Sequence, residues 1–80
     1  MPTVLTKDGF RIFFYSADGK EPVHVHVEYG DGLAKFWMIP ISLDSNYRMK
    51  AKDLRKAREL LETKAELIKK EWNDYFGIKN

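Results

Sequence analysis

Eighty residues with 44% apolar content suffice for one hydrophobic core, so a single domain over residues 1–80 is expected. Cysteine is absent, which removes disulfides and thiolate metal sites, and the chain shows neither an export-signal pattern nor the ~20 apolar residues of a membrane span, so a cytoplasmic protein without membrane attachment is expected. The net charge of +2 hides an asymmetry: residues 1–47 hold four Lys/Arg against six Asp/Glu, and residues 48–80 hold ten against six.

Turn residues divide the first half into short extended runs. Val4 to Thr6 and Phe10 to Ser16 flank Lys7-Asp8-Gly9, where Asp-Gly is a strong hairpin signal. Ala17 to Pro22 reads as a loop. His24 to Tyr29 and Gly32 to Met38 flank Gly30-Asp31, a two-residue turn with glycine at the first central position. Partners across that turn have numbers summing to 61. Val27 then faces Ala34, Val25 faces Phe36 and Val23 faces Met38 on one side of the sheet. On the other side Glu28 faces Leu33, His26 faces Lys35 and His24 faces Trp37. A slip of one residue would set valines against Lys35 and Trp37, so the hydrophobic pattern selects the register. A short run, Ile41 to Leu43, follows Pro40, and the sheet occupies residues 1–45.

From Ala51 to Phe76 the period changes. Leu54, Ala57, Leu61, Ala65, Ile68, Trp72 and Tyr75/Phe76 recur at three- and four-residue spacing, the stripe of a helix that covers the valine face. Gly77 is placed to stop it. The fold class is therefore α+β: a small antiparallel sheet of four to five strands built from β-hairpins, with one long or kinked C-terminal helix, residues 50–77, packed on one face. Leu60 and Leu67 fall off the stripe. They meet the sheet edge, the other half of a kinked helix, or another chain, whether a partner protein or a second copy in a homodimer.

Two features carry chemistry. The first is the row His24, His26 and Glu28, which the strand alternation sets opposite the valines. An imidazole titrating near neutrality can move a proton to or from a ribose hydroxyl, with Lys35 across from His26 to stabilise a phosphorane-like charge and Arg11 or Tyr15 as helpers. A metal-independent ribonuclease could be assembled this way. The other reading makes both rings amphipathic pieces of a half-covered sheet face, stacked on Trp37 and Tyr15. No metal or other cofactor is expected: two histidines and Glu28 offer at most three ligands, their spacing does not fix a tetrahedron, and a nearby lysine opposes a cation. The second feature is the run Arg48, Lys50, Lys52, Arg55, Lys56 and Arg58, against Asp53 alone, at the start of the helix. Cations there oppose the helix dipole. The run is either a solvated face or a grip on an anionic partner, with Trp37, Tyr15 and Tyr47 available to stack unpaired bases.

Met-Pro-Thr-Val near the start, Asp8-Gly9-Phe10-Arg11 leading into Phe13-Phe14-Tyr15-Ser16, Pro22-Val23-His24-Val25-His26-Val27, Ala34-Lys35-Phe36-Trp37 and Trp72-Asn73-Asp74-Tyr75-Phe76-Gly77 together resemble the bacterial domain of unknown function 4160 family, whose members include DhiT-like toxins. Val23 stands where that family usually has a second proline, and Lys50 where relatives often place a serine helix cap. The resemblance implies one component of a type II toxin–antitoxin pair, with a cognate partner protein encoded nearby. On this reading the chain is the toxin rather than the antitoxin and acts on or binds RNA. The alternative is a non-catalytic protein- or nucleic-acid-binding module, an antitoxin or an inhibitor of a target.

Overall fold

In the computed structural model, which describes residues 3–77, five strands run in chain order across one antiparallel sheet. They are β1 (Thr3–Lys7), β2 (Phe10–Phe13), β3 (His24–Tyr29), β4 (Gly32–Met38) and β5 (Ile41–Tyr47), followed by α1 (Ala51–Thr63) and α2 (Ala65–Phe76). Met1-Pro2 of the opening motif lies outside the described residues. Among those residues no helix is long and apolar enough to cross a membrane.

Local chemistry sets both hairpins. Asp8 and Gly9 have φ of 52° and 86°, so both central residues of the β1–β2 turn are left-handed, and this mirror-image turn matches the twist of the strands it joins. Gly30, with φ of 56°, does the same for β3–β4. There the pairs run from His24↔Trp37 to Tyr29↔Gly32 in the register that the valine pattern selects. The Met38 N–H donates to Val23 O at 3.1 Å, which carries the ladder one residue further.

Two strands differ from expectation. β2 ends at Phe13 rather than Ser16, because the next residues close a turn on Asp18 instead of pairing. β5 continues to Tyr47 rather than stopping at Leu43. It does so through a bulge: Lys35 pairs with Ser45 and Phe36 with Leu43, leaving Asp44 unpaired, where its Oδ1 accepts the Trp37 indole N–H at 3.0 Å.

The helical segment is two helices, not one. Ala57 and Leu61 of α1 and Ile68 of α2 are fully buried on Ile12, Val25, Val27, Ala34, Phe36 and Met38. The break is at Lys64, with φ of −105° and ψ of 16°. Just before it the Thr63 hydroxyl donates to Glu59 O at 3.0 Å, a bond to the preceding turn that bends helices. A straight helix over residues 51–76 would be ~39 Å long. The molecule is 35 Å in its longest direction, so an unbroken rod would overhang the sheet. The break instead carries α2 round the end of the sheet, where Trp72 meets Phe14 with ring centroids 5.2 Å apart and reaches the histidine side.

Candidate functional site

The residues after β2 fold back over the histidine face. Asp18 Oδ2 accepts the Tyr15 N–H at 2.8 Å, and the Asp18 N–H donates to Tyr15 O at 3.0 Å. A single 3-10 turn, Asp18–Lys20, follows. This reciprocal clamp fixes the carboxylate above the start of β3. Asp18 Oδ2 lies 3.1 Å from His24 Nε2 and 3.3 Å from His26 Nε2. His24 Nδ1–H donates to Pro22 O at 2.9 Å, which aims Nε2 at the carboxylate. Among the described residues His24 Nε2 is buried with no hydrogen-bond partner. One carboxylate oxygen therefore faces two imidazole nitrogens.

Aromatic rings wall the cluster. His24 lies edge-on to Trp37 and Trp72, at 5.4 and 5.1 Å between centroids, and His26 stacks on Phe13 at 5.4 Å beneath Tyr15 at 4.7 Å. Burial alone would raise the Asp18 carboxyl, but the Tyr15 N–H and the two imidazoles outweigh it and hold the group below its ordinary value. Burial likewise holds His26 below its ordinary value, and the Asp18 charge only partly offsets it.

The imidazoles share one side of the sheet, as the alternation predicts, but not an open surface. His24 is 0% exposed, roofed by Trp72, and only His26 reaches the surface. Lys35 stands across from His26 and is drawn toward Glu21, with Nζ 3.0 Å from Oε1 and 4.5 Å above the Trp37 ring. Arg11 lies on the same face one pair further along, 3.3 Å from Glu28 Oε1 and over the Phe13 ring. Tyr15, His26, Lys35 and Tyr47 line a shallow cleft of about 270 Å³. Trp37 is not in that cleft; it lines a separate apolar hollow with Val23 and Ile39.

The basic run does not form one patch. Arg48 continues from the cleft, its guanidinium 5.2 Å from the Tyr47 ring, with φ of 61°. Arg58 is instead bound to Ile41 O at 2.8 Å, and Lys56 lines a different cleft with Lys7, Tyr29 and Leu60. Asp53 is buried in the first turn of α1, where its charge suits the dipole. Among the described residues none of Arg48, Lys50, Lys52, Arg55 and Lys56 lies within ion-pair distance of a carboxylate. Leu60 packs partly against the core, whereas Leu67 is 39% exposed.

Asp18 is the residue that the sequence reading missed. Its one signal is the Tyr15-x-x-Asp18 spacing, which suits an aspartate turn that caps a backbone N–H. Two imidazole nitrogens and one carboxylate oxygen within 4.8 Å of one another form a donor set that could hold a metal ion.

These features define a small α+β domain: an antiparallel meander roofed by a broken helix, with an aspartate–imidazole cluster set into the sheet face away from the core. The chain belongs to the family described as domain of unknown function DUF4160, whose model matches residues 9–73 and so includes Asp18, His24 and His26. No curated protein and no solved structure matches it.

Proposed function

We propose that the protein is one component of a bacterial toxin–antitoxin pair, the toxin rather than the antitoxin, and that it binds RNA across the open part of the histidine face and the adjoining start of α1. The pairing rests on the family resemblance of the motifs. The RNA reading rests on one structural observation: a cleft walled by Tyr15 and Tyr47 holds Lys35, and Arg48, which no carboxylate answers among the described residues, lies over the Tyr47 ring. Aromatic walls stack unpaired bases, and unanswered cations displace counterions from phosphates. Arg48 adds support, because an arginine in the left-handed region is held there at a cost, and such strain gathers at functional positions.

The reading is one of binding. Acid–base chemistry by both imidazoles would need His24 to touch a substrate, and that ring has no exposed surface. Five phosphate contacts to a single strand would give a slope of about −3.5 in log affinity against log salt. The test is a titration of a fluorescent single-stranded RNA at several salt concentrations, with the parent protein and with Lys52→Glu/Arg55→Glu. The double variant should flatten the slope by at least about 1.4 and weaken binding more than tenfold. Expression of the chain should arrest growth, and co-expression of the adjacent reading frame should relieve the arrest. Unchanged affinity after charge reversal removes the RNA reading, and harmless expression removes the toxin reading.

A further inference from the structure

We infer that Asp18 Oδ2, His24 Nε2 and His26 Nε2 bind one Zn²⁺ ion, with the fourth position open to water. The expectation from the strand alone was that no metal binds, since Glu28 was the only third ligand in view. The third donor is Asp18, supplied by the turn that folds over β3. The three atoms lie within 4.8 Å of one another, with the carboxylate oxygen 3.1 and 3.3 Å from the two nitrogens. Ligand atoms about 2.0–2.1 Å from a tetrahedral zinc are about 3.3 Å apart, so the carboxylate oxygen already stands near the needed separation from each imidazole nitrogen.

A second observation is independent of that spacing. The His24 Nδ1–H is given to Pro22 O, which aims Nε2 at the carboxylate oxygen 3.1 Å away. Nothing in the surrounding wall donates to that nitrogen, which is buried and without a partner among the described residues. A buried nitrogen without a hydrogen-bond partner, set beside a carboxylate, is a place that a positive charge, a metal ion or a proton, would satisfy. The bond to Pro22 is also the support that zinc-bound histidines have: a backbone carbonyl on the far nitrogen fixes the tautomer and aims the ring. The aromatic wall of Phe13, Trp37 and Trp72 locks both imidazoles. Lys35 does not oppose the ion with a free charge, because Glu21 lies 3.0 Å from its ammonium.

The test uses the full chain without a histidine tag, stripped by a chelator and titrated with ZnCl₂ by calorimetry. One ion per chain should bind, and at a free concentration 100 times the Kd the melting temperature should rise by roughly 10–20 °C. Co²⁺ should give the visible absorption of a four-coordinate site. Asp18→Asn keeps an oxygen for the Tyr15 N–H while removing the anionic ligand, and should weaken Zn²⁺ binding at least tenfold. Glu28→Gln, whose carboxylate is paired with Arg11 instead, should bind as the parent does. No heat and no thermal shift in the parent, or equal affinity in Asp18→Asn, overturns the site in favour of a proton shared between Asp18 and the imidazoles. Should Asp18→Asn fail to fold, ¹⁵N spectra of the parent decide: the Nε2 signals of His24 and His26 must move on Zn²⁺ addition, and unmoved signals overturn it.

Discussion

Replacing Trp72 by alanine separates the roof of the histidine cluster from the cluster itself. Trp72 is 2% exposed, and its ring centroid lies 4.6 Å from Phe76, 5.2 Å from Phe14 and 5.1 Å from His24. A buried tryptophan removes about 150–250 Å² from water, which at about 25 cal/mol per Å² sets an upper bound of about 4–6 kcal/mol. Truncations of this size in well-packed cores cost about 3–5 kcal/mol. A domain of 80 residues has a total stability of about 4–12 kcal/mol, so the variant sits near the threshold of folding. Its melting temperature should fall by at least about 12 °C. Far-UV circular dichroism in urea measures the loss without relying on the missing indole.

A milder change, Trp72→Phe, keeps the domain folded and gives a second readout. Diethyl pyrocarbonate should modify only His26 in the parent and both imidazoles in the variant, because the smaller ring leaves the edge of His24 open. A loss below about 1 kcal/mol in Trp72→Ala, or a His24 as protected in Trp72→Phe as in the parent, would show that α2 does not close this end of the sheet.

Gly19→Ala should destabilise by about 1–3 kcal/mol, because a Cβ there would sit 2.5 Å from Cδ1 of Phe76 and force that ring off Trp72; thermal melts read the loss. Arg48→Gly should stabilise the domain by about 1 kcal/mol by relieving the left-handed backbone at φ of 61°, yet weaken RNA binding, and equal RNA affinity would separate the strain from the function. Asp18 and His26 both bind protons more weakly in the folded chain than in the unfolded one, so acid must destabilise the metal-free protein. The His26 contribution is whole above its ordinary value of 6.5 and is lost as pH falls from there through its lower folded value. The Asp18 contribution is whole above 3.8 and is lost as pH falls through its own lower folded value. Urea midpoints in the presence of a chelator should therefore decline as pH falls below 6.5 and again as it falls below 3.8, and a flat profile contradicts the weakened proton binding of these groups.

The register of β3 on β4 is legible in the sequence because a slip would misplace every side chain at once, so Val23, Val25 and Val27 admit a single partner set. The length of β5 is not. Asp44, Ser45 and Asn46 are poor strand residues, and the run persists only because a bulge sets Asp44 aside to meet the Trp37 indole on the next strand. The helix break is hidden for a different reason. Ala57 and Leu61 of α1 and Ile68 and Trp72 of α2 keep the spacing of one continuous stripe, and neither proline nor glycine marks Lys64. Local pattern fixes which residues are buried here, whereas the direction of α2 is fixed by what lies past the end of the sheet.

The same division decides how much of the candidate site can be read. Alternation puts His24 and His26 together on one face, and the structure agrees. The burial of His24 depends on two contacts from outside the strand, Trp72 above and Asp18 alongside. With Phe13 paired to His26, residues 14–23 form the connection at that end of the sheet, and a connection that simply continued the ladder would carry Asp18 away from both rings. It returns because the Asp18 carboxylate caps Tyr15 and tightens the chain into a turn. The oxygen that makes this turn is the one that faces the imidazoles, so a single atom of Asp18 both folds the loop and supplies the charge that the histidine row lacks. In the sequence that atom belongs to Ala17-Asp18-Gly19-Lys20, the composition of any exposed turn. Its role becomes visible only when the strand pairing on either side of the loop is known.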